Sequence, residues 1–134
     1  MLKKISHIGL AVKNLDRAIE FYRDVLQMEI RERVKVADHG VEIAFIKIGG
    51  TAELELLAPL SEDSGVARFL AQHGPGIHHI CYEVDDLAQR IAWLTDHGVA
   101  MIDERPRTGA AGDQIAFAHP KSMLGILTEF KEVK

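Results

Sequence analysis

The sequence predicts an α+β fold: two tandem βαβββ modules forming curled mixed sheets around a cleft. Three observations carry this reading. The chain repeats itself at an offset of 72 residues. Each copy opens with strand-like alternation followed by an amphipathic helix. Three further β-rich segments follow each helix.

The repeat is visible in short matches. Ile5-Ser6-His7-Ile8 aligns with Ile77-His78-His79-Ile80, and Ile43-Ala44-Phe45 aligns with Ile115-Ala116-Phe117, all 72 residues apart. At the same offset Val12 meets Val84, Leu15 meets Leu87, Ile19 meets Ile91 and Phe21 meets Trp93. Glu55 and Glu129 pair at 74, so one connection differs in length by two residues.

In the first module, Ile5 to Val12 alternates with strand period. A helix is expected over Leu15 to Gln27, with Leu15, Ala18, Ile19, Tyr22, Val25 and Leu26 on one face and Asn14 as its cap. Strands are expected at Glu29–Val36, Val41–Ile48 and Ala52–Ala58. The connector carries a short helix over Val66 to Gln72, with Ser61, Glu62 and Asp63 at its start and His73 and Gly74 at its end. In the second module a helix is expected over Leu87 to His97, opened by Asp86 with Gln89 and closed by Gly98. Strands follow at Val99–Glu104, Asp113–His119 and Gly125–Lys131. Residues 1–134 thus read as a single domain, with module one at about 3–58, a connector at 59–75 and module two at about 76–132.

Composition narrows the function. The chain has 134 residues, 47% hydrophobic and 27% charged, the balance of a globular domain with a real core. A net charge of −4 with no basic run argues against nucleic acid as a partner. No apolar run is long enough to span a membrane, and His7 interrupts the first apolar stretch, so that stretch reads as a strand and not a signal peptide. The single cysteine, Cys81, cannot form an internal disulfide and fits a reducing compartment, so a cytoplasmic location is expected.

Strand parity then selects a site. Ile8, Leu10 and Val12 form the row that packs under the helix, which leaves His7 on the other row with Gly9 and Ala11. Ile80, Tyr82 and Val84 form the matching row, with His79 opposite. Glu55 is flanked by Leu54 and Leu56, and Glu129 by Thr128 and Phe130. His7, Glu55, His79 and Glu129 therefore all face away from the core rows. Two imidazoles and two carboxylates suit a divalent ion such as Co, Zn, Mn or Ni. The repeat also chooses between neighbours, because His79 matches His7 whereas His78 matches Ser6. Cys81 reads as a small buried side chain, Lys121 as a cation able to meet an anionic substrate group, and Gly109 to Gly112 as a flexible or phosphate-facing loop.

With these residues in hand, the chain resembles the vicinal oxygen chelate (glyoxalase/bleomycin resistance/dioxygenase) superfamily, and within it the methylmalonyl-CoA epimerase family. The resemblance runs over nearly the full length. Its motifs are His7-Ile8-Gly9-Leu10-Ala11-Val12, Glu55-Leu56-Leu57-Ala58-Pro59-Leu60, Gly76-Ile77-His78-His79-Ile80, Asp103-Glu104-Arg105-Pro106-Arg107, Phe117-Ala118-His119-Pro120-Lys121 and Gly125-Ile126-Leu127-Thr128-Glu129. It implies one divalent metal, an acyl-CoA substrate, interconversion of epimers through an enolate, and a homodimer. It also implies Glu129 as an acid/base group. Several epimerases share a second glutamate three residues after the glycine before the third strand. Here that position is Ile43, with Glu42 beside it. Glu42 is the candidate second acid/base if a β-bulge near Gly40 re-aims it. The enzyme alternative is a glyoxalase-type lyase or isomerase acting on a thiol conjugate. The non-enzyme alternative is a small-molecule-binding resistance protein.

Overall fold

The computed structural model of the protein describes residues 2–50 and 52–133. The first module comprises β1 (Leu2–Ala11), α1 (Leu15–Glu20), β2 (Glu29–Val36), β3 (Val41–Lys47) and β4 (Glu53–Pro59). The connector holds α2 (Gly65–His73), and the second module comprises β5 (Gly76–Val84), α3 (Leu87–Asp96), β6 (Arg107–Thr108), β7 (Gln114–Ala118) and β8 (Thr128–Glu132). The α+β class and both βαβββ modules are as the sequence predicts. By their contacts the residues gather into two compact units, His7–His78 and Met1–Ser6 with His79–Lys134.

In the unit His7–His78 the strand order is β2-β3-β4-β1. β1 and β4 are parallel, while β3 is antiparallel to both β2 and β4, so the sheet is mixed. Alternation gives it two apolar faces. On one, Leu15 and Ile19 of α1 pack on Ala44, Ile46, Leu56 and Ala58, joined by Leu10 and Val12. On the other, Val66 of α2 joins Ala11, Val41, Ile43, Phe45 and Leu57. Ile46 and Leu56 are fully buried, each worth about 1.5–3 kcal/mol of apolar transfer.

The second unit repeats the plan. β5 and β8 are parallel, and β7 lies antiparallel to β8 and to β6. Leu87 and Ile91 of α3 pack on Val84, Ala116, Ala118 and Phe130.

The caps fall close to expectation. Asn14 Oδ1 accepts from Arg17 N at 3.0 Å, and Asp86 Oδ1 accepts from Gln89 N at 3.3 Å. Ser64, rather than its acidic neighbours, caps α2 by accepting from Ala67 N at 3.1 Å. Gly98 takes φ +88° after α3, a conformation that favours glycine.

Two elements differ from the sequence reading. The first helix turns into a π-helix over Phe21–Val25, with Leu26 N donating to Phe21 O at 3.1 Å. A π turn adds a residue per turn and rotates the apolar face. Val25 and Leu26, expected on the buried side, are exposed. The second correction concerns Val99–Glu104. It forms only a bridge from Met101 to Ala118, and the strand appears later and shorter, at Arg107–Thr108. Pro106 has no N–H to offer a ladder, and Asp103 uses its side chain at the strand edge instead. Among the described residues, no helix is long and apolar enough to cross a membrane.

Candidate metal centre

Each unit carries one buried His–Glu pair, built the same way. In the unit His7–His78, His7 lies on β1 and Glu55 on its parallel neighbour β4, with Gly9 directly opposite Glu55. Gly9 has no side chain to fill that place, so Glu55 can lean back along the strand toward His7. His7 Nδ1 sits 3.0 Å from Glu55 Oε2. In the other unit Cys81 stands opposite Glu129 on the parallel pair β5 and β8, and His79 precedes Cys81 by two residues. His79 Nε2 sits 3.1 Å from Glu129 Oε1.

All four residues are buried, at 5% exposure for His7, 9% for Glu55, 4% for His79 and 6% for Glu129. Burying a carboxylate is costly unless it is paired or holds an ion. The pair distances suit ligation. Two ligand atoms about 2.1 Å from one ion and about 90° apart lie about 3.0 Å from each other. The nitrogen and oxygen donors also match a divalent ion of intermediate hardness. Within each unit, the residues present therefore fit a metal.

Parity separates His78 from His79 as expected, while Cys81 shares the His79 side of β5. His78 packs on Phe69 of α2, with ring centroids 5.0 Å apart. Cys81 is fully buried. Lys121 lies in a 3₁₀ turn after β7, where its N–H donates to His119 Nδ1 at 3.1 Å. Gly109 to Gly112 form a tight turn, with Gly112 N donating to Gly109 O at 3.0 Å.

Glu42 does not join the His–Glu face. Its neighbours in parity, Ala44 and Ile46, pack under α1, and Glu42 lies on that side. Its carboxylate pairs with Arg33, Nε to Oε2 at 2.9 Å, and Arg33 also reaches Asp16 of α1 at 2.6 Å. These two carboxylates, Glu42 foremost, hold the Arg33 guanidinium above its ordinary range. The pairing of β3 with β4 runs unbroken from Val41 to Lys47. The bulge in this sheet lies elsewhere, in β2 between Ile30 and Glu32. The β3 register shows no bulge after Gly40 of the kind that would re-aim Glu42, so Glu42 keeps its alternating orientation. Ile43 is the residue on the His7–Glu55 side, 4% exposed among apolar neighbours.

Two aromatic residues were visible in the sequence only as repeat markers. Phe45 stands directly across from Glu55, and Phe117 directly across from Glu129. The Phe117 ring meets His79 edge to face at 5.5 Å. A guanidinium lies over each ring, Arg31 at 4.9 Å from Phe45 and Arg107 at 5.7 Å from Phe117. The shared offset together with strand parity was the signal that could have identified the two rings.

Residues 6–117 match the family described as Glyoxalase/Bleomycin resistance protein/Dioxygenase superfamily. The chain is 38% identical over 135 residues to ethylmalonyl-CoA/methylmalonyl-CoA epimerase of Cereibacter sphaeroides, covering 99% of this chain and 100% of that protein. It is 38% identical over 130 residues to the mitochondrial methylmalonyl-CoA epimerase of Dictyostelium discoideum, covering 96% of this chain and 78% of that one. A variant of Streptomyces coelicolor methylmalonyl-CoA epimerase, in complex with 2-nitronate-propionyl-CoA, matches with TM-score 0.93 and 39% identity over 98% of each chain. The chain belongs to the glyoxalase/bleomycin resistance protein/dioxygenase superfamily, in the family that includes the methylmalonyl-CoA epimerases.

Proposed function

We propose that this protein is a divalent-metal-dependent epimerase that interconverts the epimers of methylmalonyl-CoA. The carrying observation is the buried His–Glu pair, repeated once per unit, in a chain whose relatives at this identity are named as epimerases of that substrate. In this reading residues 1–134 work as one domain, and His7, Glu55, His79 and Glu129 together hold one ion of Co, Zn, Mn or Ni. The protein is taken as a cytoplasmic homodimer with no nucleic-acid or membrane partner, and Lys121 as a cation for an anionic substrate group.

When bound, the ion would act as a Lewis acid toward the substrate's carbonyl oxygen. The chain's own residues handle the proton. The reacting carbon lies between a thioester carbonyl and a carboxylate, so its C–H bond is acidified by the enolate that forms as the bond breaks. Glu129 is proposed as one proton carrier, its carboxylate lying 3.1 Å from His79 Nε2. The electron pair of the C–H bond becomes part of the enolate. Return of a proton to the opposite face regenerates the C–H bond with inverted configuration. With Glu42 turned to α1 and Ile43 apolar, that second transfer falls to water or to a group other than Glu42.

The test is NMR of methylmalonyl-CoA in D2O with metal-loaded protein. Metal-dependent loss of the α-proton together with interconversion of the epimers is the expected result. No exchange on this substrate, combined with turnover of a glutathione hemithioacetal, would move the assignment to glyoxalase-type chemistry. Binding of a small molecule without turnover of either would move it to a resistance protein.

A further inference from the structure

Phe117 is held through both its peptide groups and its ring. β6 covers only Ile115 and Gln114 of the outer edge of β7. At Phe117 that edge has no strand beside it, and its peptide groups need other partners. Asp103 and its neighbour supply them. Asp103 Oδ2 accepts from Phe117 N at 2.8 Å, while Ile102 N and Asp103 N donate to Phe117 O at 2.8 and 3.2 Å. The second carboxylate oxygen, Oδ1, accepts from Arg107 Nε at 2.9 Å. Arg107 in turn lies over the Phe117 ring at 5.7 Å. Both the peptide and the ring of Phe117 are thus fixed from one carboxylate, and the ring rests edge to face on His79.

We propose that Asp103 is a positioning residue, which through Phe117 and Arg107 fixes the His79 imidazole in its pairing with Glu129. The functional part of this proposal rests on the reading of His79 as a metal ligand. A ring packed against an imidazole limits its rotation, and groups that orient a ligand contribute roughly 10- to 100-fold to metal affinity. Asp103 touches neither the substrate nor the ion in this scheme, and its effect passes through Phe117.

The experiment compares Asp103→Ala and Asp103→Asn with Asp113→Asn, which weakens the Lys131 ion pair (3.2 Å) in the same unit and serves as the structural control. One arm, on the metal-free protein, measures the nuclear Overhauser effect between the Phe117 and His79 ring protons. The other measures Co2+ affinity by competition with a chromophoric chelator, together with the visible Co2+ spectrum. Thermal unfolding of each metal-free variant is recorded alongside. The expected result is a weakened ring-to-ring signal and an affinity roughly 10- to 100-fold lower in Asp103→Ala. Asp103→Asn, which keeps an acceptor for Phe117 N, should fall between, and Asp113→Asn should stay within about twofold of wild type at comparable stability. An undiminished ring-to-ring signal in Asp103→Ala, or Co2+ affinity within about twofold of wild type, overturns the proposal. Failure of the wild-type protein to bind Co2+ overturns the metal reading, and the ring-to-ring signal then still decides whether Asp103 positions His79. If Asp103→Ala does not fold, Asp103→Asn carries both arms.

Discussion

Replacing Glu42 by Gln separates a proton carrier from a structural carboxylate. Glu42 is 15% exposed at its side chain and Arg33 41%. The guanidinium meets the two carboxylate oxygens at 2.9 and 3.4 Å and also reaches Asp16. Gln keeps the shape and an acceptor oxygen but drops the charge. An exposed ion pair is worth about 0.2–1 kcal/mol. Glu42 is partly shielded, which argues for the upper end, but Arg33 is open to water and keeps Asp16, so the loss should be about 1 kcal/mol. Urea unfolding reads that loss directly as a shift in midpoint. Turnover should behave differently. A positioned acid or base contributes roughly 10²- to 10⁴-fold, whereas a carboxylate on the helix side of the sheet contributes nothing to proton transfer. The α-proton exchange rate in D2O should therefore stay within about twofold of wild type. A fall of about 100-fold or more with the urea midpoint unchanged would refute the placement of Glu42 and the register argument behind it.

Other changes have equally definite outcomes. His79→Ala should lose stoichiometric metal and activity together, and retention of one equivalent of metal by elemental analysis would count against the four-residue set. Phe130→Ala removes a ring only 2% exposed beneath α3, so thermal or urea unfolding should show a loss of about 3–5 kcal/mol, with less than about 1 kcal/mol contradicting the packing. The Asp85 carboxyl is held below its ordinary range by the hydrogen bond and charge of Arg90. A carboxyl depressed in the folded state stabilises at neutral pH, and that contribution is lost as pH falls through the folded value. The stability gap between wild type and Arg90→Gln should accordingly be present at pH 7 and close below the ordinary carboxylate range of about 3.9. A gap that persists there would refute the pairing.

The strand positions and burial of the four candidate ligands were more legible than the segments around them, and the reason is geometric. A strand alternates strictly, so one buried row on β1 decides where His7 points, and the 72-residue repeat extends the decision to His79. The same rule identified the problem at Glu42 and Ile43, since only a bulge could have reversed it. Helix phase is less secure. A single π turn at Phe21–Val25 was enough to bring Val25 and Leu26 out of the buried face, and nothing local in their spacing announces it. β6 was misplaced for a related reason. Val99 to Glu104 has strand-like composition, yet its most consequential residue, Asp103, bonds through its carboxylate to a backbone N–H on β7. Side-chain-to-backbone bonds of that range leave no period in a sequence.

The boundaries of the two compact units carry a consequence for dividing the protein. The sequence repeat breaks at the connector, but Met1–Ser6 belongs with His79–Lys134, and Gly76 to His78 belongs with the unit that starts at His7. Each module therefore lends the opening residues of its first strand to the other unit, and in both cases the change of allegiance falls at the candidate ligand histidine. A chain severed in the connector would give two fragments that each lack a piece of their own fold. Such fragments should regain structure only when mixed, which makes the connector a natural place to split the protein for reassembly and a poor place to truncate it.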